Sequence, residues 1–195
     1  MMIGEGAEAR IYLERMFGTE VIVKLRGRKA YRIREMDETM RRRRTRKEAG
    51  IMLAAAKAGV PVPEIIAVGT FSMYMEKLDG TLLKDTRITA RHMASAGSAL
   101  ALLHSSNMVH GDYTPANIMS TKQGIRIIDF GLADTTMDVE QKAVDLLLMK
   151  RAVSRTTYAS FESAYAKNSR NAGDVLRQLA ELERRGRYQT RTMMG

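Results

Sequence analysis

A two-part α+β chain is what this sequence predicts, on three observations. Residues 20–25 read Glu-Val-Ile-Val-Lys-Leu, and β-branched side chains suit a pleated, half-buried strand. Glu48, Ile51, Met52 and Ala55 recur at i, i+3, i+4 and i+7, which marks one face of a helix over 37–57. Beyond residue 88 the helical period dominates, beginning with the stripe Met93, Ala96, Leu100 and Leu103. A small antiparallel sheet with one helix should therefore precede a short helical part.

Taken in order, residues 3–12 read as a tight turn entering a strand. Gly4 and Gly6 would let backbone N–H groups approach phosphates closely, although G-x-G alone is usually just a turn. A turn at Phe17-Gly18 leads into the 20–25 strand, where Ile22 and Lys24 share one face and Val21, Val23 and Leu25 the other. A lysine within such a run belongs at an edge unless an anion waits for it. The following helix places Glu48 on its apolar side, where an unpaired carboxylate would cost several kcal/mol. Lys24 is its natural partner, with Arg44 or Lys47 as local competitors. Gly59 and the prolines at 61 and 63 end this helix. Short strands are expected over 64–69 and 72–75, and then residues 76–80 form a connection. Helices are expected over 89–105, 139–155, 157–167 and 171–184. The expected boundaries are 1–78 for the first part, 79–185 for the second, and 186–195 for a mobile basic tail.

Composition narrows the functional classes. A chain of 195 residues without cysteine can bury a core but has neither disulfides nor thiolate zinc sites. His92 and His104 read as structural, because the three histidines stand at no metal-ligand spacing. No leader-like start and no run of eighteen apolar residues is present, so a soluble, cytoplasmic protein without membrane contact is expected. The net charge is +10. Residues 26–47 hold eleven Lys or Arg against three acids, and four Arg without an acid follow Glu183, so the remainder is near neutral. Confinement to two patches favours a polyanion such as RNA. Arg41, Arg42, Arg43 and Arg44 are its candidate contacts, since basic residues at a helix start oppose the macrodipole. Arg187 and Arg191, interleaved with Tyr188, suit phosphate contact with base stacking.

The chemistry concentrates between residues 109 and 131. His110-Gly111-Asp112 is followed five residues later by Asn117, and the strand-like run 125–128 delivers Asp129-Phe130-Gly131. Magnesium takes oxygen ligands, usually one or two carboxylates plus the nucleotide's phosphates, and Asp129 with the Asn117 side-chain oxygen would supply them. Asp112 would then stand where an acceptor hydroxyl loses its proton or an attacking water is oriented. Ile125, Ile127 and Asp129 share a strand face, and Gly131 is expected to carry the sharp turn that follows. Asp145, beside the apolar run 146–148, would brace the loop holding Asp112, with His110 as its other support.

Together these motifs resemble the catalytic and metal-binding loops of the protein-kinase-like superfamily. The resemblance implies a truncated two-lobed protein-kinase-like fold that binds ATP with Mg, or Mn. By it Lys24 contacts the ATP phosphates, Glu48 pairs with Lys24, and Gly4 and Gly6 belong to the phosphate flap. Met75 gates the adenine pocket, and the backbone of Glu76 and Leu78 meets the purine edge. Only residues 132–137 separate the metal loop from the next helix, where a protein kinase carries its substrate-docking segment. Aminoglycoside- or choline-type kinases share H-G-D but carry a larger helical lobe. The whole chain is similar to the PRPK-type small atypical kinase of the KEOPS complex. The marks are Lys24, R-T-R-K-E-A at 44–49, H-G-D-x-T-x-x-N at 110–117, D-F-G-L-A at 129–133, the abbreviated loop and the basic tail. That likeness implies a subunit supporting threonylcarbamoyladenosine formation in tRNA. It would touch the transferase subunit through its C-lobe and tail and a small accessory subunit through its N-lobe. It would act as an ATPase switch or as a serine/threonine kinase. An RNA-binding scaffold with a vestigial kinase fold is the non-enzymatic alternative.

Overall fold

The computed structural model describes residues 1–6 and 8–192, with side chains described as far as residue 185. The first half is a five-stranded antiparallel sheet in the order β1-β2-β3-β5-β4. Its strands are β1 (Met2–Glu5), β2 (Arg10–Met16), β3 (Thr19–Leu25), β4 (Ile65–Val68) and β5 (Ser72–Glu76). Helix α1 (Arg34–Lys57) lies against β4 and β5. Its apolar face buries Ile51, Met52 and Ala55, the periodicity expected from sequence. Gly59, at φ +86°, ends it, and its N–H and that of Val60 close onto Ala56 and Ala55, as a left-handed glycine C-cap does.

The second half carries short strands and four helices. A three-stranded sheet in the order β6-β8-β9 joins β6 (Gly80–Leu82), β8 (Ile118–Thr121) and β9 (Gly124–Ile127), and β7 (Met108–Val109) pairs with β10 (Asp134–Thr135). The helices are α2 (Ala90–Ser105), α3 (Val139–Ala152), α4 (Arg155–Asn168) and α5 (Ala172–Thr192). Thr89 caps α2 in a reciprocal pair with His92, which accounts for that histidine. Helices α2 and α4 meet at Gly97, where an added Cβ would stand 2.2 Å from the Phe161 carbonyl oxygen, so glycine is required there. One continuous set of buried side chains runs from Met52 and Met73 through Leu100 and Leu103 to Leu146, Phe161 and Leu179. The two halves thus share a core, and Ile127 N–H donates to Pro61 O at 2.7 Å across their junction.

Several elements differ from expectation. Strands β1, β6, β7, β8 and β10 stand outside the expected set, because two to four residues carry no readable period. Helix α1 begins at Arg34 rather than near Asp37, with Glu35 and Asp37 in its first turn. Residues 41–44 therefore lie beyond that turn, and the macrodipole argument for them falls, since the effect fades within one turn. Helix α5 runs to Thr192 rather than 184. Residues 193–195 and the side chains of Arg187 and Arg191 lie outside the described residues.

The β2–β3 hairpin turns on Phe17 and Gly18, both at positive φ (+50° and +81°), as a two-residue type I′ turn requires. Phe17 is 94% exposed, so it has strain without compensating burial. Phe17→Asn should raise stability by about 1 kcal/mol, asparagine tolerating the left-handed region better; a shift of the urea midpoint with unchanged m-value will measure it.

Candidate active site

Strand β3 is central in its sheet, so a cation on it must find carboxylates. Lys24 Nζ meets Glu48 Oε1 at 2.6 Å and Asp129 Oδ1 at 2.7 Å. Glu48, only 3% exposed, also accepts from Arg26 Nη2 at 2.6 Å. Glu48 thus pairs with Lys24 rather than with Arg44 or Lys47, which bind Glu8 and Asp134 instead. Arg26 is absent from the sequence-derived candidates, although strand parity puts it on the Lys24 face. It is 4% exposed and its other nitrogen holds Glu8 at 2.9 Å. Glu8, from the β1–β2 turn, is shared with Arg44. Burial raises the Glu8 carboxyl, but the two guanidiniums outweigh it and the net shift is downward.

The metal loop leaves β9 through Asp129 at φ +58°. The turn expected at Gly131 therefore falls two residues earlier, on an aspartate, one of the few non-glycine residues that adopt this region. Burial pushes the Asp129 carboxyl up, while Lys24 and the Gly131 N–H at 3.1 Å pull it down, and the sum is downward. Gly131 makes a close approach, since an added Cβ would stand 3.0 Å from Asp129 Oδ1. Phe130 is buried against the His110 ring, centroids 4.9 Å apart.

The Asp112 loop is held from behind. Asp145, fully buried, accepts from His110 N–H at 2.7 Å and Gly111 N–H at 2.8 Å, and from the His104 ring at 3.2 Å. Gly111 stands at φ +78°, and an added Cβ would lie 2.5 Å from Leu132 O; this excludes a side chain and explains glycine between His110 and Asp112. His110 Nδ1 faces the Asp112 N–H at 3.3 Å and Nε2 faces Ile128 O at 3.1 Å. These partners require a neutral ring with the proton on Nε2. Asn117 Nδ2 donates to Asp112 O at 2.9 Å and Oδ2 at 2.8 Å, which leaves Asn117 Oδ1 for another partner.

A cleft of about 380 Å³ gathers Gly6, Lys24, Arg26, Asp112, Asp129 and Gly131. Asp129 Oδ2 is left for a hard cation in the cleft, which fits an ion carried in largely on phosphates; Asn117, whose Oδ1 is also left, is not among the cleft's lining residues and is tied to it through Asp112. Among the described residues no group of three or more His, Cys, Asp or Glu is arranged for a metal. Gly4 does not line the cleft; it lies inside β1, over Ile11. Gly6 does, but its N–H is bonded to Ala9 O at 2.9 Å, so that amide is not presented outward. Met75 sits in β5 opposite Ile22. Glu76 N–H donates to Glu64 O at 2.9 Å, which removes it as a donor to a purine. Leu78 follows, half-buried, in the connection to β6.

The arginine run divides. Arg41 is taken internally: it donates to Asp37 at 2.7 Å and to Arg26 O at 3.3 Å, and stacks on Phe71 at 3.9 Å. Taking it for RNA would cost fully buried Asp37 the nearer of its two cations, Arg32 standing at 4.0 Å. Arg44 is likewise engaged, by Glu8. Arg42 and Arg43 are exposed and remain candidates.

Glu48→Ala should destabilise the protein by about 3–5 kcal/mol, because it strands Lys24 and Arg26; urea unfolding will show it. Burial lowers both His104 and His110 from the ordinary 6.5. Below that value the unfolded chain binds protons that the folded chain refuses. Stability should therefore fall as pH drops from 7.5 to about 5.5, and His104→Gln should flatten the slope in urea midpoints taken across that window.

A model of the protein kinase domain family matches residues 1–176. The KEOPS complex subunit Bud32 of Pyrococcus abyssi is 34% identical, with 98% of this chain and 97% of that protein covered. A probable serine/threonine-protein kinase BUD32 homolog of Archaeoglobus fulgidus is 36% identical over 90% of this chain and 92% of its own length. A probable bifunctional tRNA threonylcarbamoyladenosine biosynthesis protein of Methanosarcina mazei is 37% identical over 96% of this chain. The chain spans about a third of the length of such bifunctional relatives, 35% in that case. Among solved structures, the Rio2 kinase of Chaetomium thermophilum, in an ADP/Mg2+-phosphoaspartate complex, superposes with a TM-score of 0.64 at 19% identity, covering 95% of this chain and 70% of that one. This chain belongs to the protein kinase domain family and, within it, to the Bud32 group of atypical kinases.

Proposed function

We propose that the chain binds ATP with magnesium in the cleft and works as the kinase-type subunit of a KEOPS complex, hydrolysing ATP in support of threonylcarbamoyladenosine formation on tRNA. The observation that carries this reading is the convergence of Lys24, Asp112 and Asp129 on one cleft, with Glu48 behind Lys24. Asp129 and Asn117 would hold the cation, which supplies charge neutralisation at the transferring phosphoryl group. Lys24 would turn from Asp129 toward the phosphates while Glu48 keeps it in place. Asp112, its carboxylate fixed by Asn117 Nδ2, would orient the attacking oxygen and take its proton. Manganese would suit the same oxygens.

Water is favoured as acceptor by the short path after the metal loop. Only residues 132–138 lie between Gly131 and α3, and they hold the two-residue strand β10. No platform for an acceptor peptide is built there, so a protein acceptor would need a partner to present it. Serine/threonine phosphorylation by the isolated chain is the second activity of the same residues. The names of the relatives support assembly into the complex. The transferase subunit at the C-lobe and tail, and the accessory subunit at the N-lobe, are part of this proposal, as is tRNA on Arg42 and Arg43. Among the described residues no helix is long and apolar enough to cross a membrane.

Phosphate release from labelled ATP, measured with and without tRNA and the transferase subunit, tests the reading. Asp129→Ala should lower release about a hundredfold or more, from missing charge stabilisation. Equal release by that variant would remove the assigned site and leave the scaffold reading. For the basic surface, Arg42→Glu with Arg43→Glu should weaken tRNA binding. It should also reduce the salt slope by roughly one unit for each phosphate left without its arginine, whereas Arg41→Ala should act chiefly on folding stability.

A further inference from the structure

A second cavity, of about 440 Å³, opens on the far side of the helical half, between α2, α3, α4 and the start of α5. Its lining includes Lys142 from α3, Arg170 and Asn171 from the α4–α5 connection, and His104 and Tyr165; no carboxylate is among them. Lys142 is the unusual member. Its side chain lines the cavity while the residue is only 5% exposed, and among the described residues it has no ion pair or side-chain hydrogen bond. Burial alone holds its ammonium below the ordinary lysine range. The packed side chain brings its ammonium to the cavity, where the described residues supply no counter-charge, an arrangement that favours an anion there.

The surroundings point the same way. Arg170 stands exposed beside the cavity with no ion pair among the described residues. Helix α5 starts at Ala172, directly after Asn171, so the positive end of a long helix lies at the cavity wall. Asp174, the one acid in that first turn, is engaged by Arg177.

We infer that this cavity is a binding site for a phosphate dianion, seated between Lys142, Arg170 and the N-terminus of α5. The depth of Lys142 selects among phosphate groups. A terminal phosphomonoester or free orthophosphate can enter a pocket of this size, whereas a phosphodiester within a continuous strand is flanked on both sides. The site is separate from the nucleotide cleft and shares no lining residue with it.

Amide NMR of the full chain titrated with orthophosphate, ribose 5-phosphate or ribose tests this at constant ionic strength. Ser105, Asn107, Ser169 and Asn171 should shift saturably with both phosphates and not with ribose. Tighter binding of ribose 5-phosphate identifies a phosphomonoester as the ligand, and equal or weaker binding identifies the free ion. Lys142→Met should weaken binding at least tenfold, and Arg170→Ala severalfold, while shifts at Gly6 and Gly131 in the cleft stay unchanged. Lys142→Met should also melt higher than the parent without phosphate and lack the phosphate-dependent rise in Tm. Shifts that remain linear to about 50 mM, that are confined to Gly6 and Gly131, or that saturate with unchanged affinity in Lys142→Met would overturn the proposal. Because Lys142 has no partner among the described residues and Arg170 is exposed, both variants should fold.

Discussion

One buried carboxylate organises the catalytic half of this molecule. Glu48 reaches from α1 between Lys24 and Arg26, and its charge is what lets two cations stand side by side on the Lys24 face of a central strand. Coulombic attraction between such groups does not by itself repay their desolvation. Here the ladder of charges continues outward, from Glu48 through Lys24 to Asp129, and from Glu48 through Arg26 to Glu8 and Arg44. Its inner members are dry and its outer members, Asp129, Glu8 and Arg44, are partly exposed to solvent. The helix, the sheet, the β1–β2 turn and the metal loop are thereby pinned at one point, so the geometry of the cleft is set by charge as much as by packing.

Much of this is legible in the sequence because it rests on short-range rules. Parity along 20–25 puts Lys24 opposite Val21 and Val23, and the 3.6-residue period puts Glu48 with Ile51 and Met52. The failures have equally local causes. Arg26 follows from the same parity as Lys24, but it lies one residue past β3 among many basic residues, and charge density there reads as a surface for a polyanion. The same density points Arg41 toward solvent, whereas Asp37, one helical turn earlier, draws it inward over Phe71. Such pairs are visible as i,i+4 spacing, but their burial depends on where the helix packs. The left-handed turn at Asp129 is hidden in the sequence, because the glycine two residues later is the better local candidate.

The loop carrying Asp112 shows how a motif's glycine can be a steric requirement. Gly111 passes under the Leu132 carbonyl with no space for a Cβ, while Asp145 holds two consecutive amides and burial keeps the His110 ring neutral. Asp112 is therefore carried on backbone that is bound from behind and obstructed from the side. Few conformations are open to it, which suits a group that must meet a phosphoryl acceptor within hydrogen-bond reach.

The continuous core has a mechanical corollary. With Met52 and Met73 packed into the same buried body as Leu100 and Phe161, and with Ile127 tied to Pro61, the halves cannot swing apart without tearing an apolar seam. Admission and escape of a ligand would then fall to the ribbon of β1 and β2, whose tip is latched by Glu8 to Arg26, just past β3, and to Arg44 on α1.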